Sequence, residues 1–495
     1  MDTILLAIQW VLRFGIFLLW CIGGLCLRLQ SFRKRKRLPP IRNKILLLSG
    51  TELARRIRNR EVSCEEVVQS FIERCKAVNP IINAIVEVRF DAAMQEAREV
   101  DDFLKNTEKS KEELSDDLPL LGLPVTVKES IAVKGMSHSV GLKKEPVDRA
   151  SQDATIIKMI RKAGGIIILV SNTPELCLFW ETYNNVTGIT FNPYDNRRVS
   201  GGSSGGEAAL LGSGASILGV VSDIAGSARL PAMFCGVFGH KPSPRWVPCE
   251  GHRPESHAET WTDYFTCGAM VRYAEDLPLL LKVMAASPEV RKSFSQPVSV
   301  RDLKVFYAEH DGSNIAQPID TEIILAMRKL KYHMEKMYQS KVQKIKIKDL
   351  KLAFDIASYT LLRIEGVETV FSNENNNTEW NHFTLELLKS MFCMSRYTLH
   401  GILFPVLTGC VEKLPKKYDT EMVKRVTRLK KQFQDFLGSN GILIYPTFSS
   451  SAHFPYEGFY NVGNYHHMSI FNALGLPVTQ CPLGLNRKGL PIGVQ

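Results

Sequence analysis

The sequence predicts an α/β fold, a single large domain on a mixed, mostly parallel central sheet with helices on both faces. Three observations carry this expectation. "DATIIKMIRKAGGIIILVSN" (153–172) reads as a helix, a Gly-Gly stop and a continuous apolar strand, the texture of a sheet buried on both faces. Short apolar runs such as "LPVTVK" and "GILIYPT" recur between segments of helical period. An apolar content of 45% and a charged content of 23% sit near globular averages, so 495 residues suffice for a sizeable core.

In chain order, the first element is Ile4 to Leu27, 24 residues. As a helix it would be roughly 36 Å long, enough for a hydrocarbon core of about 30 Å. Arg13 opposes insertion by about 2.5–3.5 kcal/mol if central, and the Leu, Ile, Phe and Val residues favour it by roughly 6 kcal/mol. Residues 1–30 are therefore expected to span a membrane; lying flat in the interface is the alternative, since the apolar run after Arg13 is only 14 residues. Residues 31–47 form a basic linker, and residues 28–44 hold eight Lys/Arg and no acid, most of the net charge of +11. Charge beside an apolar segment is a membrane signature, whereas a nucleic-acid binder carries a basic stripe on its folded domain. The positive-inside rule puts the remaining domain, 48–495, in the cytosol. Sequons at Asn185 and Asn376 would report a luminal orientation.

Ser49 to Val88 reads as helical, with Ser63 capping "CEEVVQSFIERCKAV" and Glu66 completing a capping box. "NTEKSKEELSDD" (106–117) reads as a charged surface loop. "LGLPVTVKES" (121–130) contains a short strand ending at Lys128. Further on, "DLPLLLKVMAA" and "TEIILAMRKLKYHMEKMY" are expected as helices, and "LKVFYAE", "KVQKIKI" and a buried "GILIYPT" as strands. "ENNNTE" (374–379) is a polar loop. The 11 cysteines are scattered without a C-x-x-C pair, which speaks against a disulfide framework or a zinc ribbon.

The chemistry concentrates in "GGSSGGEAALLGSGASILGVVSDIAGSARLPA" (201–232). From Ser200 to Ser227, eight of 28 residues are glycine and seven are serine, yet Leu210, Leu211, Ile217, Leu218, Val220 and Val221 exclude a flexible linker. A phosphate loop needs Lys where Glu207 stands, and a dinucleotide fingerprint needs Gly where Ile217 stands. The nucleophile elbow G-x-S-x-G is matched through Ser203 and through Ser204, but it requires a strand running into the turn, and "NPYDNRRVS" reads as coil. What remains is serine chemistry with a lysine base. Lys128 ends an apolar strand and suits that role, although a lone lysine there also reads as a solvated strand end. His466-His467 and His252/His257 match no zinc-ligand spacing.

"GLPVTVKES", the 201–232 stretch extended through "MFCGVFGHKPS", "CGAMVRYAEDLPLLLKVM" and "FNALGLPVTQCPLGLNRKGLPIGVQ" together resemble the amidase signature family, over roughly residues 48–495. The membrane segment and "FGHKPSP" are similar to the animal fatty acid amide hydrolases of the second, single-anchor type. The resemblance implies a Ser-Ser-Lys triad with Ser227 as nucleophile, Ser203 as bridge and Lys128 as base. It implies an oxyanion hole of backbone N–H groups from Ile224, Ala225, Gly226 and Ser227, acting on long-chain fatty acid amides through an acyl-enzyme. Arg229 is expected to brace the loop and Ser204 to orient Ser203. Cys177, Leu178, Phe179 and Trp180 match pocket-lining positions, and core packing explains them equally well. No cofactor, metal or nucleic acid enters the scheme; the partners are a lipid amide, the membrane and, as an assembly the reading admits, a second copy in a homodimer. An amidase for small amides and a catalytically impaired amidase fold are the rival readings.

Two departures from the family pattern carry expectations of their own. Ala225 stands where the family has glycine, and a positive φ there would distort an oxyanion donor. The chain also stops at Gln495 inside "GLPIGVQ", which would leave that strand unpaired and its apolar side uncovered.

Overall fold

Apolar β-prone runs punctuated by glycine form thirteen strands among the residues described by the computed structural model: 10, 11, 13–15, 17, 32, 34–339, 341–372, 379–392 and 394–495. They are β1 (Ile85–Val88), β2 (Pro124–Lys128), β3 (Ile166–Ser171), the small pair β4 (Tyr183–Asn184) and β5 (Gly188–Ile189), β6 (Leu218–Asp223), β7 (Phe238–Lys241), β8 (Thr266–Val271), β9 (Lys304–Tyr307), β10 (Val342–Lys344), β11 (Gly441–Ile444), β12 (Val478–Leu485) and β13 (Pro491–Val494). Eight of them form one mixed sheet in the order β1-β3-β2-β6-β8-β7-β12-β13, and three form a second sheet, β10-β9-β11.

Only β3-β2-β6 are parallel within the large sheet; its other five neighbouring pairs are antiparallel. The mostly parallel sheet expected from the sequence is thus corrected. Apolar residues on both faces report burial, and β8 is as fully buried as β2 and β6 although it runs antiparallel to β6. The main core gathers around this sheet, with Phe71, Val127, Ile168, Val220 and Ala269 among its buried members. The second sheet is wholly parallel.

The helix–Gly-Gly–strand reading of 153–172 corresponds to a helix at Thr155–Lys162, Gly164 in the left-handed region, and β3. Three local expectations are corrected. The Ser49–Val88 stretch is two helices, Gly50–Arg58 and Cys64–Ile82, followed by β1, with Ser63 Oγ accepting from the Glu66 N–H at the second start. Residues Lys111–Asp117 of the charged "loop" are helical, held by a reciprocal capping box between Ser110 and Glu113 and by the single buried Leu114. The strand in "GILIYPT" lies at the edge of the small sheet, and Ile442 is exposed.

At the C-terminal end β13 pairs with β12, all four of its residues are buried, and Gln495 exchanges both backbone hydrogen bonds with Tyr445. The expectation of an unpaired, uncovered "GLPIGVQ" is therefore not met in these residues. The 4–27 segment falls mostly outside the described residues, as does the 374–379 loop except for Glu379, which opens the Glu379–Met391 helix. Among the described residues, no helix is long and apolar enough to cross a membrane.

Candidate active site

Parallel pairing of β2 with β6, in the register Val125↔Leu218 and Val127↔Val220, brings the carboxyl ends of both strands together. Ligand sites in open α/β sheets form at such ends. Lys128, the last residue of β2, is fully buried there, and Nζ lies 2.7 Å from Ser203 Oγ and 2.9 Å from Ser222 Oγ. Both of its hydrogen-bond partners among the described residues are serine hydroxyls.

Ser203 lies in the coil that enters the Gly205–Gly212 helix, after a cis peptide between Gly202 and Ser203. The Thr182 hydroxyl bonds Gly201 O at 2.9 Å and Ser203 O at 3.3 Å, and accepts from the Gly205 N–H at 3.0 Å. No strand runs into this turn. Glu207, whose presence excludes a phosphate loop, is buried on that helix, and burial pushes its carboxyl up to about 7.

The Ser227 loop leaves the end of β6 and is organised by Asp223. Its carboxylate accepts from the N–H groups of Gly226 (2.8 Å) and Ala228 (3.0 Å) and from both sides of the Arg229 guanidinium (3.0 Å each). Burial raises the Asp223 pKa, but Arg229 outweighs it and the carboxyl sits down at about 2. Arg229, fully buried, also donates to Met468 O, Gln495 Oε1 and Asn472 Oδ1. That is a five-contact brace, as expected of this residue.

The Ser204 N–H donates to Ser227 O at 3.2 Å, which joins the two serine loops through the backbone. Ser227 is 5% exposed, and its hydroxyl makes no hydrogen bond among the described residues. The N–H groups of Ile224, Ala225 and Ser227 are likewise unpaired among the described residues, whereas that of Gly226 is committed to Asp223. Gly226 is thereby removed from the expected donor set.

Position 226, not 225, carries the left-handed backbone, at φ 105°. A Cβ there would lie 2.6 Å from Met468 Sδ and 2.7 Å from Met468 Cβ. Alanine at 225 therefore carries no backbone penalty of the kind expected. Ser204 Oγ turns toward Ser222 O at 3.5 Å rather than toward Ser203. Cys177 has φ 58°, and its thiol meets Thr173 Oγ1 at 3.1 Å and Arg253 O at 3.8 Å. Leu178 packs against a small cluster around Leu176 and Ile402, and Phe179 stacks on His400 and meets Phe459 at a tilt. Trp180 stacks on Tyr465 and donates its indole N–H to Ala225 O at 2.9 Å, a direct tie to the Ser227 loop.

Sequence reasoning missed Ser222, Asp223, Thr182 and Asn472. Asp223 and Ser222 lie within the 201–232 stretch and Asn472 within the block that begins at Phe471, whereas Thr182 comes from a remote segment without a local signal. It also missed Asp311 beside His466 and His467, whose potential ligand atoms lie within 4.8 Å of one another. There the carboxylate is in direct hydrogen-bond contact with His466 Nε2, lies 3.9 Å from His467 Nε2 and accepts from the Ser313 N–H at 2.8 Å.

The Amidase family model matches residues 66–495, and the chain belongs to that family: it is a hydrolase of amide C–N bonds. Among its relatives are fatty-acid amide hydrolase 2 of Homo sapiens, 39% identical over 487 residues (97% of this chain, 91% of the relative), and fatty-acid amide hydrolase 2-A of Danio rerio, 38% identical over 503 residues (100% and 92%). Among solved structures, a fatty acid amide hydrolase superposes with a TM-score of 0.69 at 23% identity, covering 92% of this chain and 83% of that one. A crystal structure of an amidase gives 0.71 at 21%, covering 90% and 95%. At these identities the superpositions speak for the fold.

Proposed function

We propose that the protein is a membrane-associated serine amidase that hydrolyses long-chain fatty acid amides to fatty acid and amine through an acyl-enzyme. The observation that carries the proposal is the buried contact of Lys128 Nζ with Ser203 Oγ at 2.7 Å, in a loop whose next residue is backbone-bonded to Ser227. In the reaction Ser227 Oγ attacks the amide carbonyl, its proton passes to Ser203 and the Ser203 proton passes to Lys128. The tetrahedral oxyanion lies against the free N–H groups of Ile224, Ala225 and Ser227, donors that are each worth about 3–4 kcal/mol to a transition state of this kind. As the C–N bond breaks, the proton returns along the same path to the leaving nitrogen, and water then cleaves the acyl-serine ester.

The lipid substrate class is supported by the two relatives of 38–39% identity and by the membrane character of the N-terminal sequence. A second apolar feature fits it. On and just beyond the Glu379–Met391 helix, Leu385, Leu388, Met391, Phe392 and Met394 are 50–74% exposed, a row suited to a lipid surface. Activity-based labelling with a fluorophosphonate, followed by peptide mapping, tests the reaction. The modified residue is expected to be Ser227, and modification of Ser203 or Ser204 instead would refute the scheme. An acyl-chain series tests the substrate class, with kcat/KM expected to rise with chain length; a preference for acetamide-sized substrates would favour a small-amide enzyme.

A further inference from the structure

Behind Lys128 the structure places a histidine that the proton path above does not use. His252 is 4% exposed, with its ring packed on Phe265. Its Nδ1 lies 3.0 Å from Pro254 O, and its Nε2 lies 2.9 Å from Ser222 Oγ and 3.0 Å from Ser130 Oγ. Pro254 O can only accept, so Nδ1 carries the hydrogen and Nε2 presents its lone pair to the two hydroxyls. Burial holds the imidazole well below its usual pKa, so the ring is neutral.

Of the two hydroxyls Ser222 is the nearer to the single Nε2 lone pair, and its donation there sets the hydrogen-bond direction toward Lys128. With its hydrogen donated to Nε2, Ser222 has only lone pairs left for Lys128 Nζ, 2.9 Å away. In the neutral amine that the proposed reaction requires, Lys128 then donates an N–H to Ser222 and turns its lone pair to the Ser203 hydroxyl 2.7 Å away. Were Ser222 free to rotate, its hydroxyl hydrogen would compete with that of Ser203 for the same lone pair.

We infer that Ser222 and His252 are positioning residues of the amidase, which aim the lone pair of Lys128 at Ser203 by fixing the hydrogen-bond direction from Lys128 through Ser222 to His252. The inference rests on the Ser-Ser-Lys reading proposed above. The two amide replacements of histidine separate its two nitrogens. Asn at 252 keeps a donor for Pro254 O and loses the acceptor at Nε2, whereas Gln reaches the Nε2 position with its carbonyl oxygen.

The experiment is fluorophosphonate labelling of the full chain in detergent, resolved into the maximal labelling rate and the half-saturating probe concentration, with thermal melting as the folding control. His252→Asn should lower the maximal rate by about a hundredfold while the half-saturating concentration changes little. His252→Gln should stay within about threefold of the wild type, as should Ser130→Ala. Ser222→Ala should lose as much as His252→Asn, and the double variant no more than either, because both act through one path. Asn and Gln variants of equal rate would overturn the inference, as would additive losses in the double variant or an effect confined to probe affinity. Lys128→Ala labelling at full rate would sink the triad reading and this one together. Lys128→Ala silent beside His252→Asn at wild-type rate would sink this inference alone.

Discussion

Lys128 and Gly226 are the two residues at which chemistry and backbone geometry bear most directly on the proposed reaction. Lys128 is the one amine within hydrogen-bond reach of Ser203 among the described residues. Lys128→Ala should therefore lower amide hydrolysis by about 10²–10⁴-fold, the span of a general base, and move the pH optimum upward because hydroxide must replace it. Full activity in that variant, measured as a pH–rate profile, would refute the role. Gly226 carries φ 105° against Met468, so Gly226→Ala should cost about 1–3 kcal/mol in backbone strain and displace the loop that holds the oxyanion donors. We expect its labelling rate to fall at least about tenfold, while Ala225→Gly changes it by less than about threefold. Equal effects at the two positions would show that the left-handed residue does not govern the loop.

At the scale of elements, the serine loops are held by segments distant in sequence. The 179–183 segment lies against the turn at 456–458, where the two carboxyl oxygens of Glu181 accept from the N–H groups of Tyr456 (2.7 Å) and Gly458 (2.6 Å). Burial outweighs those two donors and pushes Glu181 up to about 8, and burial likewise takes His453, 3.4 Å away, down to about 4, so the pair is neutral near pH 7. The linkage has a definite sign. Below pH 4.5 Glu181 is protonated folded or unfolded; above it the unfolded chain releases the proton and the folded chain keeps it, so stability is lost progressively up to about pH 8. Glu181→Gln removes this titration but leaves one donor badly matched. Its melting temperature should lie below that of the wild type at pH 5, with the gap narrowing by pH 9. A gap that stays constant or widens across thermal melts from pH 5 to 9 would show that Glu181 is ionised in the fold.

For the whole molecule, the apolar N-terminal sequence and the exposed row from Leu385 to Met394 are the two features that we propose meet lipid, and each can be tested apart from the other. Deleting residues 1–30 should weaken membrane association without abolishing it, and should leave fluorophosphonate labelling at Ser227 intact. Flotation of the full-length and shortened chains with lipid vesicles measures this. Undiminished flotation after the deletion would assign membrane binding to the folded domain alone, and lost labelling would mean that the segment supports the active site.

The sequence by itself determined the local elements whose information is contiguous: the helix, Gly-Gly stop and strand of 153–172, β2 ending at Lys128, and the Ser63 cap. The family resemblance also singled out Lys128 and Ser203, which the fold brings to 2.7 Å of each other. Capping chemistry at Ser110 and Glu113 was present in the sequence too, but the density of charge around it read as loop. Strand direction was not legible, since an apolar strand looks the same whether its neighbour runs parallel or antiparallel. Nor was the donor set of the Ser227 loop, because only the folded carboxylate of Asp223 reveals that it takes the Gly226 N–H and leaves three others free. Thr182 and His252 reach the site from segments that carry no motif of their own, and the contacts of Trp180 and Asn472 with the Ser227 loop are not written in the motifs that contain them. Hydrogen-bond partners, burial and backbone φ are properties of the assembled chain, and the tertiary structure alone decided them.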